Sequence, residues 1–258
     1  MAWQTDFKLA VIFLTRIPLK LAEQPDDVSL NRASGYFALV GVMLGLILAI
    51  SYWLLQLLFP ATIAVVLLLA VSLLLTGAFH EDGFADVWDG FGGGFSTEHK
   101  LQIMKDSRLG TYGAAALVLL LLLKVLLLAS LSAAFWQIAV ALLLGHSLSR
   151  AMATSIIGAL PYVQEDAQSK VKPVAEVLAA NSRDLLNLTS AALILLLWLV
   201  TPMQLAELLV IVVVLWLLRA LCLRWFKQQL GGYTGDCLGA AQQLAELSVY
   251  ACLVVLWQ

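Results

Sequence analysis

The chain has 258 residues, of which 62% are hydrophobic and 12% are charged, and its mean hydropathy is +0.92. Ordinary soluble domains carry roughly 25% charged residues, so this composition excludes that class. A net charge of −2 says little about partners, and we expect no nucleic acid among them. Three cysteines are too few and too widely spaced for a disulfide framework or a zinc site, so we predict that they are packing residues.

Apolar runs of about 20 residues, long enough to cross a bilayer, recur along the whole chain. They predict an all-α, polytopic membrane bundle of about seven helices, with six and eight as bounds. The predicted spans are 35–58, 61–79, 112–133, 136–158, 185–201, 203–223 and 238–257. Residues 1–258 are predicted to form a single transmembrane catalytic domain, which begins with a short interfacial or re-entrant helix.

Positive charge is confined to one set of helix ends. The short connections near residues 60, 132–135 and 201–204 contain no Lys or Arg, whereas the long loops hold nearly all of them. The positive-inside rule therefore predicts that the N-terminus and the long loops are cytoplasmic. Lys124, near the middle of the third span, is the exception. It either pairs with a carboxylate or extends its charge to the interface, and the sequence leaves both open.

Four carboxylates stand in the stretch HEDGFADVWDGFGGG at the end of the second span. On a helix continuing from that span, Asp82, Asp86 and Asp89 lie within about 60° of one another. Like charges on one face favour a bound cation, and Mg²⁺ takes carboxylate oxygens together with water and substrate phosphates. We therefore predict that these aspartates are metal ligands and catalytic residues, with His80 as a hydrogen-bonding neighbour. A solvated helix end is the alternative.

Glycines follow this stretch, and basic residues come next. Gly90, Gly92, Gly93 and Gly94 are predicted to break the helix. Lys105 and Arg108 immediately precede the third span, whose N-terminus presents free N–H groups and the positive end of its dipole to the cytoplasm. We predict that both side chains bind phosphate. Ordinary positive-inside anchors are the alternative.

Two further polar positions belong to the predicted site. His146, Arg150 and Thr154 are spaced four residues apart, so they form a stripe that faces the bundle interior. We predict a phosphate or substrate contact for Arg150, with structural packing as the alternative. Asp236 opens the last span as a helix N-cap or as a further metal ligand or base. Gly41 and Gly45 form a GxxxG pair that indicates helix packing.

Clustered carboxylates facing arginine and a helix N-terminus suit phosphoryl transfer, where aligning and neutralising phosphate oxygens provides most of the catalysis. A divalent-cation transporter also needs carboxylates in the membrane. Transporters, however, tend to place them near the midplane on broken helices, whereas these lie at the membrane edge. A CDP-alcohol-type phosphotransferase of lipid synthesis is a further alternative.

Four segments carry a family resemblance. FLTRIPL (13–19), TGAFHEDGFADVWDGFGGG (76–94), KDSRLGTYG (105–113) and GGYTGDCLGA (231–240) resemble the cobalamin synthase family, the adenosylcobinamide-GDP ribazoletransferases. The resemblance implies an enzyme that transfers the cobinamide phosphate of adenosylcobinamide-GDP to α-ribazole or its 5′-phosphate. GMP is released and adenosylcobalamin or its phosphate is formed, at the last assembly stage of cobalamin biosynthesis.

The resemblance also implies Mg²⁺ dependence and a multi-pass protein of the bacterial inner membrane with a cytoplasmic active site. It assigns the metal to Asp82, Asp86 and Asp89, phosphate binding to Lys105 and Arg108, and a further polar role to Asp236. The proton acceptor is left between Asp89 and Asp236. A homo-oligomer, or an association with other cobalamin-assembly enzymes, is left open.

Overall fold

The computed structural model describes residues 2–21, 27–163 and 177–257, and within these ranges the chain is all-α. Eleven α-helices and one 3₁₀ turn (Ser34–Tyr36) are present there. The helices are α1 (Ala2–Leu14), α2 (Asp27–Ala33), α3 (Phe37–Leu55), α4 (Ala61–Thr76), α5 (Phe79–Gly93), α6 (Thr97–Met104), α7 (Thr111–Ser130), α8 (Phe135–Thr154), α9 (Ala180–Val200), α10 (Leu205–Leu230) and α11 (Gly235–Leu256). All seven predicted spans correspond to helices.

Five helical stretches in the described part are long and apolar enough to cross a membrane, and a sixth qualifies if α4 and α5 count as one bent span. Large apolar side chains on these helices stay exposed, such as Leu74, Leu199 and Trp216 at 66–77%. Because exposed apolar surface of this extent is compatible with lipid rather than water, the chain is a polytopic membrane protein. Among the helices that correspond to predicted spans, only α8 does not qualify, because a stripe of polar residues interrupts its apolar sequence.

The centre of the bundle consists of α8 and α11, which pack against each other and are covered by α3, α5, α7 and α10. Glycines permit the closest approaches. A Cβ at Gly45 would lie 2.8 Å from the Leu143 Cα, and one at Gly41 would collide with the α8 backbone at His146. The predicted packing role of this GxxxG pair is therefore confirmed. The cysteines are also packing residues as predicted, since Cys222 and Cys237 are buried in the core and Cys252 packs against it.

The chain bends sharply between α4 and α5. Gly77 (φ 67°) and Ala78 (φ 55°) both adopt the left-handed conformation, and the two helix axes differ by 91°. The prediction that the aspartates continue the second span was therefore wrong: they lie on a separate helix. The predicted break at the glycines is confirmed, since α5 ends at Gly93 and Gly94 is its extended C-cap.

The end of α1 and the segment after it pack against this bend. The Arg16 N–H donates to the Leu75 carbonyl oxygen at 2.7 Å, and the Phe13 ring meets the Phe79 ring edge-on at 5.2 Å. On the same side, the loop after α8 pairs with the loop before α11, since Val163 N–H donates to the Tyr233 carbonyl at 3.0 Å. The four motif segments are thus gathered at one end of the bundle, around α5.

Candidate active site

Two distant motifs bring their carboxylates together at the contact of α5 with α11. A Cβ at Gly83 would lie 2.9 Å from the Asp236 Cα, so the two backbones touch immediately beside Asp82. Asp82 is exposed, whereas Asp86 and Asp236 are half-buried. The charged side chains that act on Asp86 are all carboxylates, namely Asp236, Asp82 and Asp89. We call Asp82, Asp86 and Asp236 the carboxylate cluster.

Asp236 is not the cap of its helix. The N-cap of α11 is Thr234, whose hydroxyl oxygen accepts a hydrogen bond from the Cys237 N–H at 3.3 Å. Asp236 lies two residues after this cap, in the first turn of α11, where a carboxylate interacts favourably with the helix dipole. Of the two readings of Asp236, the structure removes the capping one, which leaves its carboxylate available to a ligand.

Asp89 is held differently from the other aspartates. It is buried, and its two carboxylate oxygens accept hydrogen bonds from the Gly110 and Gly113 N–H groups, both at 2.8 Å. Gly110 is the N-cap of α7 and Gly113 lies in its first turn, at the helix end whose free N–H groups favour an anion. An anion does lie at this helix end, but it is the protein's own side chain. We therefore interpret Asp89 as a cap that joins α5 to α7, and Asp236 takes its place in the carboxylate cluster.

The predicted phosphate-binding residues lie at the surface beside this cap. The Arg108 side chain is 87% exposed, and its Nε donates to Asp106 Oδ1 at 3.0 Å. Through these hydrogen bonds Arg108 lowers the pKa of Asp106 to about 2. Lys105 is exposed at the end of α6. Both cations stand on the loop that leads from α6 into the capped end of α7.

A second set of ionisable groups lies inside the bundle. The Lys124 ammonium is 2.7 Å from Glu246 Oε1 and 3.7 Å from Glu81 Oε1, and the three side chains are at most 10% exposed. The Gln243 amide donates to Glu81 Oε1 at 3.0 Å, and Tyr250 donates to Glu246 Oε1 at 3.2 Å. Of the two alternatives for Lys124, the structure shows pairing, and the lysine has two carboxylate partners.

Arg150 belongs to the same buried set. Its Nη1 donates to the His146 carbonyl oxygen at 2.9 Å, and only 2% of the residue is exposed. The predicted interior stripe is therefore confirmed, since His146, Arg150 and Thr154 are all buried. Its position favours the packing alternative for Arg150 over contact with a phosphate. His80, also buried, faces these charges rather than solvent. We call Glu81, Lys124, Arg150, Gln243 and Glu246, with the side chains that bond them, the buried network.

Sequence reasoning passed over Glu81, Gln243 and Glu246. A signal was present, since Gln242, Gln243 and Glu246 interrupt the last apolar span and Lys124 interrupts the third. Polar groups inside a membrane bundle have to find one another, because lipid offers no hydrogen bonds. The unmatched Lys124 and the polar positions of α11 could have been paired on that basis alone.

Comparison with known proteins identifies the family to which the chain belongs. The family model described as cobalamin-5-phosphate synthase matches residues 6–254 of the chain. The chain belongs to this family. Among its relatives, proteins named adenosylcobinamide-GDP ribazoletransferase are 50% identical in Shewanella amazonensis, over 97% of this chain and 95% of the relative, and 49% identical in Shewanella frigidimarina, over 97% and 93%. A Vibrio parahaemolyticus protein of the same name is 44% identical over 98% and 92%.

No solved structure matches the chain significantly. In this member of the cobalamin-5-phosphate synthase family, no three His, Cys, Asp or Glu residues of the described part are arranged as a ready-made metal site. Mg²⁺ does not need one, since it is commonly held by one or two carboxylates, substrate phosphates and water. The carboxylate cluster offers only hard oxygen donors and an unbalanced negative charge. Its residues fit Mg²⁺ in donor type and charge.

Proposed function

We propose that the chain transfers the cobinamide phosphate of adenosylcobinamide-GDP to α-ribazole or its 5′-phosphate, with release of GMP. One observation carries the assignment: Asp82 and Asp86 meet Asp236, from a motif about 150 residues away, in a chain that matches the cobalamin-5-phosphate synthase family from end to end. The relatives reported above share the ribazoletransferase name, which favours this reaction over a CDP-alcohol phosphotransferase or a cation transporter.

The chemistry proposed is a direct displacement at phosphorus. The ribazole hydroxyl oxygen bonds to the cobinamide-side phosphorus, the bond from that phosphorus to the GMP oxygen breaks, and the hydroxyl proton goes to a carboxylate. Asp236 is the proposed acceptor, because Asp89 is engaged in capping α7. Asp82 and Asp86 would hold Mg²⁺, which when bound would neutralise the pyrophosphate oxygens. Arg108 and Lys105 would hold a phosphate at the entrance.

The site is proposed to face the cytoplasm of a bacterial inner membrane, on the positive-inside argument. The gathering of the basic loops and the carboxylate cluster at one end of the bundle supports that orientation. Assembly with a second copy, or with other cobalamin-assembly enzymes, stays a prediction.

The test is GMP release by the purified, lipid-reconstituted protein supplied with adenosylcobinamide-GDP and α-ribazole. We expect GMP and a cobalamin product in equal amounts with Mg²⁺, and neither with EDTA. GMP release that requires no ribazole would indicate hydrolysis rather than transfer. Full activity in EDTA would remove the metal from the proposal, and no turnover by a folded sample would contradict the assignment itself.

A further inference from the structure

The buried network has a balanced charge. Lys124 and Arg150 contribute two positive charges and Glu81 and Glu246 two negative ones, at the contacts of α5, α7, α8 and α11. Balanced networks are nevertheless costly to bury, and well-packed apolar residues are often equally stable or more so. Among the residues that the structure describes, three atoms of the network have no hydrogen-bond partner, namely Glu81 Oε2, Gln243 Oε1 and Arg150 Nε. Stability alone is therefore a poor account of this network.

One hydrogen bond of the network crosses from α11 to the helix that carries the aspartates. The Gln243 amide, which also donates to Gln242 Oε1 at 2.8 Å, donates to Glu81 Oε1 on α5. Lys124 lies against both Glu81 and Glu246, so it ties α7 to the same place. Most other contacts of Glu246 and Arg150 are made within α8 and α11 or between them.

This hydrogen bond lies in the interface that forms the carboxylate cluster. Glu81 directly precedes Asp82, and Gln243 is two helical turns from Asp236 on α11. Between them, a Cβ at Gly239 would lie 3.2 Å from the His80 carbonyl oxygen, and Gly83 touches Asp236. Small residues allow many registers of one helix on another, whereas a buried hydrogen bond permits one.

We propose that Glu81 and Gln243 are positioning residues: their buried hydrogen bond, held by Lys124 and Glu246, sets the register of α5 on α11 that brings Asp82 and Asp86 to Asp236. This inference rests on the proposed function only in naming the cluster as the metal and phosphate site. The three aspartates of the carboxylate cluster repel one another, so their relative position has to be set by contacts in the hydrophobic interior.

The experiment compares four variants of the full-length protein in detergent and in lipid. Gln243→Met and Glu81→Met remove the hydrogen bond at similar volume, and Glu81→Gln keeps an oxygen that accepts it. Tyr250→Phe is the matched control, since it removes a buried hydrogen bond of the same network that stays within α11. The readouts are Mn²⁺ binding by electron paramagnetic resonance without substrate, the Mg²⁺ concentration for half-maximal GMP release, deuterium uptake of residues 79–93, and Tm.

We expect both Met variants to weaken Mn²⁺ binding and raise the half-saturating Mg²⁺ concentration by about 10- to 100-fold, as loss of supporting contacts does in metal sites. Deuterium uptake of α5 should rise in both. Glu81→Gln and Tyr250→Phe should retain wild-type metal binding, although Tyr250→Phe lowers Tm. Equal metal binding in Gln243→Met and Tyr250→Phe would overturn the proposal, and so would a Glu81→Gln variant as weak as Glu81→Met.

Results that contradict the proposed function can be distinguished from results that contradict the positioning role. A wild-type protein that binds Mn²⁺ but releases no GMP would contradict the transferase assignment and leave the positioning role to be judged by Mn²⁺ affinity. If the wild type bound no Mn²⁺, deuterium uptake of α5 would decide, because unchanged uptake in Gln243→Met contradicts a role in setting this interface.

Discussion

Glu81 and Asp82 are adjacent in the sequence, yet they belong to two regions with opposite electrostatics. Glu81 is buried with Lys124, in a network whose charges cancel. Asp82 is exposed in a cluster whose charged neighbours are carboxylates. Burial requires every charge to be balanced, whereas the rim of the membrane lets water screen an imbalance. The unbalanced region is therefore where a cation and phosphates can be taken up, and the balanced region is where the helices beneath it are positioned.

The largest effect is expected from neutralising the carboxylate cluster. Asp82→Asn, Asp86→Asn and Asp236→Asn should each lower GMP release by about 10²- to 10³-fold, because each removes charge stabilisation at the phosphates. Tm should stay within a few degrees of wild type, since the cluster is not a folding element. Asp184→Asn, at an exposed carboxylate of α9, is the control and should stay fully active. Near-normal turnover in all three site variants would contradict the cluster assignment.

Breaking the charge balance of the buried network should act on folding instead. Lys124→Met leaves Glu81 and Glu246 without their cation and is expected to lower the free energy of unfolding by about 3–5 kcal/mol. Lys124→Met/Glu246→Gln restores the balance and should recover most of that loss, as measured by denaturation in detergent. Lys20→Met, at an exposed lysine, should change nothing. A double variant as unstable as the single one would mean that the ion pair is not the stabilising contact.

A substitution at Asp89 tests whether this aspartate of α5 has a structural role, unlike Asp82 and Asp86 on the same helix. Asp89→Ala removes the cap of α7 and should cost about 1–2 kcal/mol of stability, with the half-saturating Mg²⁺ concentration unchanged. Ser96→Ala removes the exposed cap of α6, whose hydroxyl accepts from the His99 N–H at 3.2 Å, and should cost less. A large rise in the Mg²⁺ requirement of Asp89→Ala would return this aspartate to the metal site.

The smallest effect is expected at the exposed ion pair of Arg108 and Asp106. Arg108→Ala should raise the KM for adenosylcobinamide-GDP by about fivefold, since an exposed ionic contact contributes up to about 1 kcal/mol. Asp106→Ala frees the arginine and should leave KM unchanged or lower it. Because the pKa of Asp106 falls from 3.8 to about 2, the ion pair is fully formed above pH 4 and is lost as pH falls through 2. KM should therefore show no titration of this pair between pH 5 and 8.

Much of this organisation was predictable from local pattern. Hydropathy located all seven helices that were predicted as spans, because a run of about 20 apolar residues has the length and composition of a membrane-crossing helix. The spacing of Asp82 and Asp86 placed both on one face, as an α-helix requires. The stripe of His146 and Arg150 was predicted to be interior, since lipid-facing charge is too costly.

What the tertiary structure decided was which of these groups meet. The 91° bend at Gly77 and Ala78 turned α5 towards α11 and α7, so that Asp236 joined the cluster and Asp89 became a helix cap. Lys124 found Glu246, 122 residues away in the chain. Periodicity reports which face of one helix is polar, but a contact between two helices depends on their relative position and angle. The sequence by itself thus determined the helices, their polar faces and the family, and packing alone decided which carboxylates are balanced and which remain for a ligand.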